Sequence, residues 1–186
     1  MILRICIGLI FFVAMINSPA WGQSFNPDTT INIDIKLVDY ESVEKHLGDL
    51  MPSLNSKEPL PDIYFTNNSG SQYLRLIFFP GSTTNSFHRF EVGVKPKTMS
   101  YKLLKKYSAF KTESQIMIGI TMTSVISKKG KGYKKCLKKG VTTLKYEISD
   151  KNKYPFLARY NMPSYSAEYH FVKGKLIKMI FGFDYP

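Results

Sequence analysis

Two stretches of the chain, DYESVEKHLG at 39–48 and TMTSVISKKG at 121–130, share a capping residue at the first position, valine at the fifth and glycine at the tenth. A duplication constrains a fold more than any composition does, because each copy must form the same supersecondary unit and bury its apolar face. In each stretch Asp39 or Thr121 can accept hydrogen bonds from the first helical turn, and Gly48 or Gly130 can take the left-handed conformation that ends a helix. Tyr40, Val43 and Leu47 fall at i, i+3 and i+7, the spacing of a buried stripe. Downstream, DIYFT (62–66) corresponds to TLKYEI (143–148). YLRLIFFPG (73–81) with FHRFEVGV (87–94) then matches AEYHFVKG (167–174) with LIKMIFGF (176–183). Alternation in the second copy puts Tyr169 and Phe171 on one face and Glu168 and His170 on the other, as in a half-buried antiparallel strand.

The expected fold class is therefore α+β: two tandem copies of short helices plus antiparallel strands, forming a curved antiparallel sheet with helices on one face. The first copy is assigned to residues 23–94 and the second to 95–186, with 95–115 as a connecting segment. The order helix, loop and three strands, the phrase IMIGITMTSVISKKG (116–130) and the closing pair FVKGKLIKMIFGFDYP (171–186) resemble the β-lactamase-inhibitor-protein-like fold, which small outer-membrane assembly lipoproteins share. The tandem arrangement is nearer to the inhibitor. What the resemblance implies is a non-catalytic protein whose sheet and loops grip a protein partner. The inhibitor's disulfides have no counterpart here, and neither has the lipoproteins' anchoring cysteine.

The chain opens MILRICIGLIFFVAMINSPAWGQS, with Arg4 ahead of the uncharged, mostly apolar run Ile5 to Ile16. A bilayer-spanning helix needs roughly 20 apolar residues and a secretory leader about 7 to 15, so this run reads as a signal peptide over residues 1–22. Ser18, Ala20 and Gly22 supply the small residues that cleavage requires, after Gly22 or after Ala20. The mature protein is expected to be soluble, with no stable membrane insertion, in a bacterial periplasm or secreted. Cleavage leaves Cys136 as the one cysteine, so no internal disulfide can form and stability must come from packing.

Charge is unevenly placed: residues 23–94 sum to −4, 95–140 to +12 and 141–186 to +3. The excess centres on KKGKGYKKCLKKG (128–140), read as a loop between the second helix and its first strand. No G-x-x-x-x-G-K-[ST] is present, so this is not a phosphate-gripping P-loop. Lys128, Lys129, Lys131, Lys134, Lys135, Lys138 and Lys139 are the candidate binding residues. Lys102, Lys105 and Lys106 of SYKLLKKYSAF join them if the two stretches form one basic surface, with Leu103, Leu104 and Tyr107 packed inward. Such a surface attracts anions over a screening length of about 8 Å. The expected partner is an acidic protein or an anionic envelope component, not nucleic acid; the bland reading is a charge run that only solvates its loop.

Other chemistry is thinner. Lys134 and Lys135 beside Cys136 favour a thiolate, yet a nucleophile needs an oriented base, and His46, His88 and His170 belong to no recognisable motif. His46 is placed on an exposed part of the first helix, His88 near a hairpin tip and His170 on a strand face. No pair has metal-ligand spacing, and no cofactor or catalytic set is assigned. Asp39, Glu41, Glu44 and Asp49 suit a solvated helix start. Asn67-Asn68-Ser69 is a glycosylation sequon by pattern alone. Three functions remain: an exported inhibitor or immunity protein docking on another protein, an envelope-maintenance module binding anionic lipid or wall polymer, and a hydrolase, disfavoured by the missing motifs.

Overall fold

A computed structural model describes residues 25–51, 60–82, 84, 86–96 and 101–184, so the leader assigned to 1–22 lies outside the described residues. Helices α1 (Tyr40–Leu47) and α2 (Met122–Lys129) start and stop by the same devices. Asp39 and Thr121 accept from the backbone N–H groups of Ser42 and Ser124, and Gly48 (φ 78°, ψ −172°) and Gly130 (φ 81°, ψ −174°) end the two helices. The third helix, α3 (Pro155–Tyr160), begins on proline and ends on left-handed Asn161.

Strands β1 (Thr30–Ile31) and β2 (Ile35–Lys36) form a small hairpin. The remaining strands are β3 (Asp62–Asn67), β4 (Gln72–Phe78), β5 (Phe87–Val94), β6 (Lys102–Leu104), β7 (Lys134–Lys138), β8 (Val141–Ile148), β9 (Ser164–Val172) and β10 (Lys175–Asp184). They make one eight-stranded sheet in the order β6-β3-β4-β5-β10-β9-β8-β7. The sheet is mixed, a correction to the antiparallel expectation, because β6 runs parallel to β3. The chain leaves β5 at the end of the sheet where β3 also finishes. β6 then pairs with that last part of β3, Lys102 to Leu104 alongside Phe65 to Asn67.

Alternate residues of the strands share one buried face: Phe65 in β3, Leu76 in β4, Phe90 in β5, Phe181 in β10, Tyr169 in β9 and Leu144 in β8. Val43 and Leu47 of α1, Val125 of α2 and Leu157 of α3 join the same cluster, so all three helices cover that face. Each fully buried large apolar side chain contributes about 1.5–3 kcal/mol. Tyr40 departs from the expected stripe and is 52% exposed, since it opens α1 beyond the sheet's cover and leans towards Glu41. The alternation expected in β9 holds, with Tyr169 and Phe171 buried and Glu168 and His170 on the opposite face.

The segment after β6 packs back on the chain's first described residues. Thr30 donates to Glu113, Ser114 donates to Asp28, Lys111 N–H donates to Asn32, and Ile31 bridges Thr112. Residues 25–28 in turn lie against the other half of the sheet, where Phe25 stacks on Tyr146 at 4.7 Å and Tyr165 donates to the Asp28 carbonyl at 2.6 Å.

Candidate functional site

KKGKGYKKCLKKG is not a loop. Lys128 and Lys129 finish α2, Gly130 to Gly132 turn the chain, and KKCLK forms the edge strand β7. Lys139 (φ 50°) and Gly140 (φ 78°) then reverse it into β8 as a two-residue turn with both φ positive, the hairpin type whose twist matches its strands. Glycine at 140 takes that conformation without a Cβ penalty, and this turn is what makes a strand of a lysine-rich segment.

All five residues of β7 are exposed, as are Lys128, Lys131 and Lys139. Lys134 bonds Glu147 at 3.0 Å, and Lys145 reaches the same carboxylate at 2.8 Å. The two ammonium groups hold the Glu147 carboxyl below the usual range, Lys145 more strongly. Among the described residues, no carboxylate lies within ion-pairing distance of Lys128, Lys131, Lys135, Lys138 or Lys139.

Lys129 is the exception, and the assignment of this residue to a basic surface is corrected. It is 0% exposed, with Nζ 2.7 Å from Asp28 Oδ2, donating to the Asn26 carbonyl at 2.7 Å and to Ser114 Oγ at 3.0 Å. Asp28 Oδ1 accepts from the Ser114 hydroxyl at 2.6 Å, while Oδ2 receives no well-aligned hydrogen bond and meets Lys129 as a charge. Burial pulls the Lys129 ammonium below its ordinary pKa, and the Asp28 carboxylate opposes that shift. Position 129 follows Val125 by four, which places it on the inward stripe of α2 and was the available signal.

Lys102, Lys105 and Lys106 do not join β7. They lie at and after β6, at the opposite end of the sheet, seven strand spacings or about 33 Å away along it. Lys106 is held by Asp34 at 2.7 Å, so the single basic surface expected from the two stretches is split in two. Of the residues expected to pack inward there, Tyr107 is buried, Leu104 half-buried and Leu103 exposed.

The sheet face opposite the helices carries a feature that the charge count missed. One cross-strand row runs Tyr64, Arg75, Glu91, Ile180, Glu168, Lys145 and Lys134 through seven strands. Arg75 pairs with Asp62 at 2.5 Å and Glu91 at 3.6 Å, Lys178 with Glu91 at 3.7 Å, and Lys145 with Glu168 at 3.7 Å. At the β6 end the rings of Tyr64, Tyr73 and Tyr101 meet at 5.7–6.2 Å, with Arg75 over Tyr64 and Lys95 over Tyr101. Burial raises the Tyr64 hydroxyl to about 12. Tyr73 lies across Gly93, where a Cβ would meet its ring at 2.6 Å. Period-two alternation in β3 and β4 carried the signal for these residues.

The histidines and Cys136 fall apart as chemistry. His88, expected near a hairpin tip, is the second residue of β5 and only 3% exposed, its Nδ1 2.7 Å from the Phe183 carbonyl oxygen. His46 is half-buried in a shallow polar cleft beside α1 with Asp34, Asp39 and Glu41. Cys136, Thr143 and His170 share a row, and Thr143 Oγ1 lies 3.2 Å from His170 Nδ1. The thiol is two strand spacings, about 10 Å, from that imidazole, beyond proton-transfer reach. No family model, curated protein or solved structure matches the chain.

Proposed function

We propose that this chain is an exported, non-catalytic binding protein that docks on an acidic protein through the basic edge around β7. The observation that carries the reading is the row of exposed lysines at Lys128, Lys131, Lys134, Lys135, Lys138 and Lys139, of which Lys134 alone meets a carboxylate among the described residues. A cluster of like charge on a sheet edge raises encounter rates with acidic surfaces and repels basic ones. The likeness to the β-lactamase-inhibitor-protein-like fold belongs to the same reading, in the inhibitor or immunity role. So do two tandem copies: α1 and α2 share their caps, and β3-β4-β5 and β8-β9-β10 run inward from opposite ends to meet at the antiparallel β5–β10 pair.

A second reading has its own observation. The tyrosine cluster with Arg75 and Lys95 is the composition of a protein-docking hot spot, and it lies on the face opposite the helices, with Tyr64 and Tyr101 half-buried around the buried Tyr73. Pull-down from a bacterial envelope extract with wild type, a variant with all six exposed lysines changed to Gln, and Tyr64→Ala separates the two. A discrete acidic protein lost only from the six-site variant supports the basic edge, and one lost only from Tyr64→Ala moves the docking face to the sheet. Enrichment of lipid or glycan in place of protein supports an envelope-maintenance module.

A further inference from the structure

The tight turn that makes β7 a strand also fixes which way its backbone faces. A two-residue turn closes on a pair that exchanges both backbone hydrogen bonds, here Lys138 with Val141. Period two carries the same bonding to Cys136 with Thr143 and to Lys134 with Lys145. The N–H and C=O groups of Lys135 and Leu137 therefore point away from β8, and β7 ends the sheet. This is a row of two donors and two acceptors, repeated at about 6.8 Å, that another strand can use.

Leu137 adds a second, apolar signal. It is 71% exposed and continues the row Phe171, Thr142, Leu137 on the helix-covered face, at a position no described helix reaches. On the other face stand Lys134 and Lys138, with Lys135 beside Leu137. A second copy of this strand is a poor occupant, since antiparallel pairing would set lysines against lysines. The same charges that turn away a like strand select an acidic one.

We propose that β7 binds an extended acidic segment of a partner protein by antiparallel strand addition, extending the sheet by one strand. The proposal rests on the acidic-partner reading above and adds its geometry. Read from the residue opposite Lys138 to the one opposite Lys134, the matching segment is acidic, apolar, small, acidic, acidic. Its apolar residue covers Leu137, its small residue faces Cys136, and its carboxylates face Lys138, Lys135 and Lys134. The second and fourth residues exchange backbone hydrogen bonds with Leu137 and Lys135.

The test uses a labelled peptide containing Glu-Val-Ser-Glu-Glu, with two isomeric controls: one N-methylated at the second and fourth residues, the other at the first and third. Strand addition predicts binding of the parent and of the second control, and at least about tenfold weaker binding of the first, which has lost two donors. Deuterium exchange of the Lys135 and Leu137 amides should slow on binding. Leu137→Pro keeps every charge, and an edge strand tolerates proline where its N–H faces solvent. That variant should lose the peptide and keep polyglutamate. Equal, salt-sensitive binding of both methylated controls would overturn strand addition and leave the acidic-partner reading standing. Binding of polyglutamate but of no peptide has the same meaning. Binding of neither overturns both, and binding of phosphatidylglycerol vesicles alone transfers the edge to a lipid ligand.

Discussion

Lys129 and Lys131 are two residues apart in one basic run, and the fold uses them in opposite ways. Lys129 is enclosed with Asp28, Asn26, Ser114 and the ring of Phe25, 5.8 Å from its ammonium. Lys131 and the lysines of β7 are exposed. Charge in a sequence therefore does not assign a role until its environment is known: a buried cation must be paired, whereas an exposed one is solvated and available. The largest expected effect follows from the enclosed member. Lys129→Ala leaves Asp28 buried without its counter-charge and should cost about 3–5 kcal/mol, read as a fall in urea midpoint. Lys129→Met combined with Asp28→Leu should recover much of that loss. A single variant as stable as wild type would erase the contrast between the two regions.

The enclosed region also sets the alkaline limit. Tyr165 and Tyr169 are fully buried behind Asp28, and burial pushes both hydroxyls well above their ordinary value of 10.0. A raised folded pKa keeps its stabilising share below the unfolded value and loses it as pH rises. Once unfolded tyrosines ionise above about pH 10, stability should fall, and Tyr169→Phe should soften the slope in urea titrations. Tyr169 is the sharper probe because its hydroxyl has no hydrogen bond among the described residues.

On the acid side the responsible group is His88, beside Arg89 and Asp184, whose pKa burial lowers from 6.5. Unfolded chains then bind more protons than folded ones as pH falls below about 6.5, so stability should decline towards acid. His88→Gln, which keeps a donor for the Phe183 carbonyl, should flatten part of that decline. His170, also lowered by burial, acts in the same direction, and the lowered carboxyls of Asp34 and Glu147 add to the decline at still lower pH. An unchanged acid slope in His88→Gln would show that the imidazole is not shielded.

Local signals in the sequence were legible and distant ones were not. The caps at Asp39 and Thr121, the glycines that end α1 and α2, and the alternation in β9 depend on near neighbours, and all appear in the fold. Lys129 depends on Asp28, about a hundred residues earlier, and nothing local names that partner. KKCLK reads as loop because it lacks β-branched residues; it is a strand because β8 pairs with it across Lys139 and Gly140. The parallel β6 and the buried His88 are likewise consequences of which strands become neighbours. The two lysine groups could be joined in the sequence because distance along a chain says little about distance across a sheet.

The smallest expected effect on stability is at the exposed edge, where the functional reading is most exposed to failure. Changing Lys128, Lys131, Lys134, Lys135, Lys138 and Lys139 to Gln removes like charges held close together and breaks one ion pair, Lys134 with Glu147. Surface pairs contribute about 0–1 kcal/mol, and relief of repulsion acts the other way, so the net change should stay within about 0.5 kcal/mol. Lys129 must be left in place, since including it would import the loss expected from Asp28. Binding should behave differently. With an acidic partner in hand, the six-site variant should associate about tenfold or more slowly at low salt, and its rate should lose most of its dependence on ionic strength. Stopped-flow association across a salt series reads both quantities. Equal salt slopes for the two proteins would show that the lysines only solvate and blunt the edge, and the docking face would then fall to Tyr64 and Tyr101 on the sheet face opposite the helices.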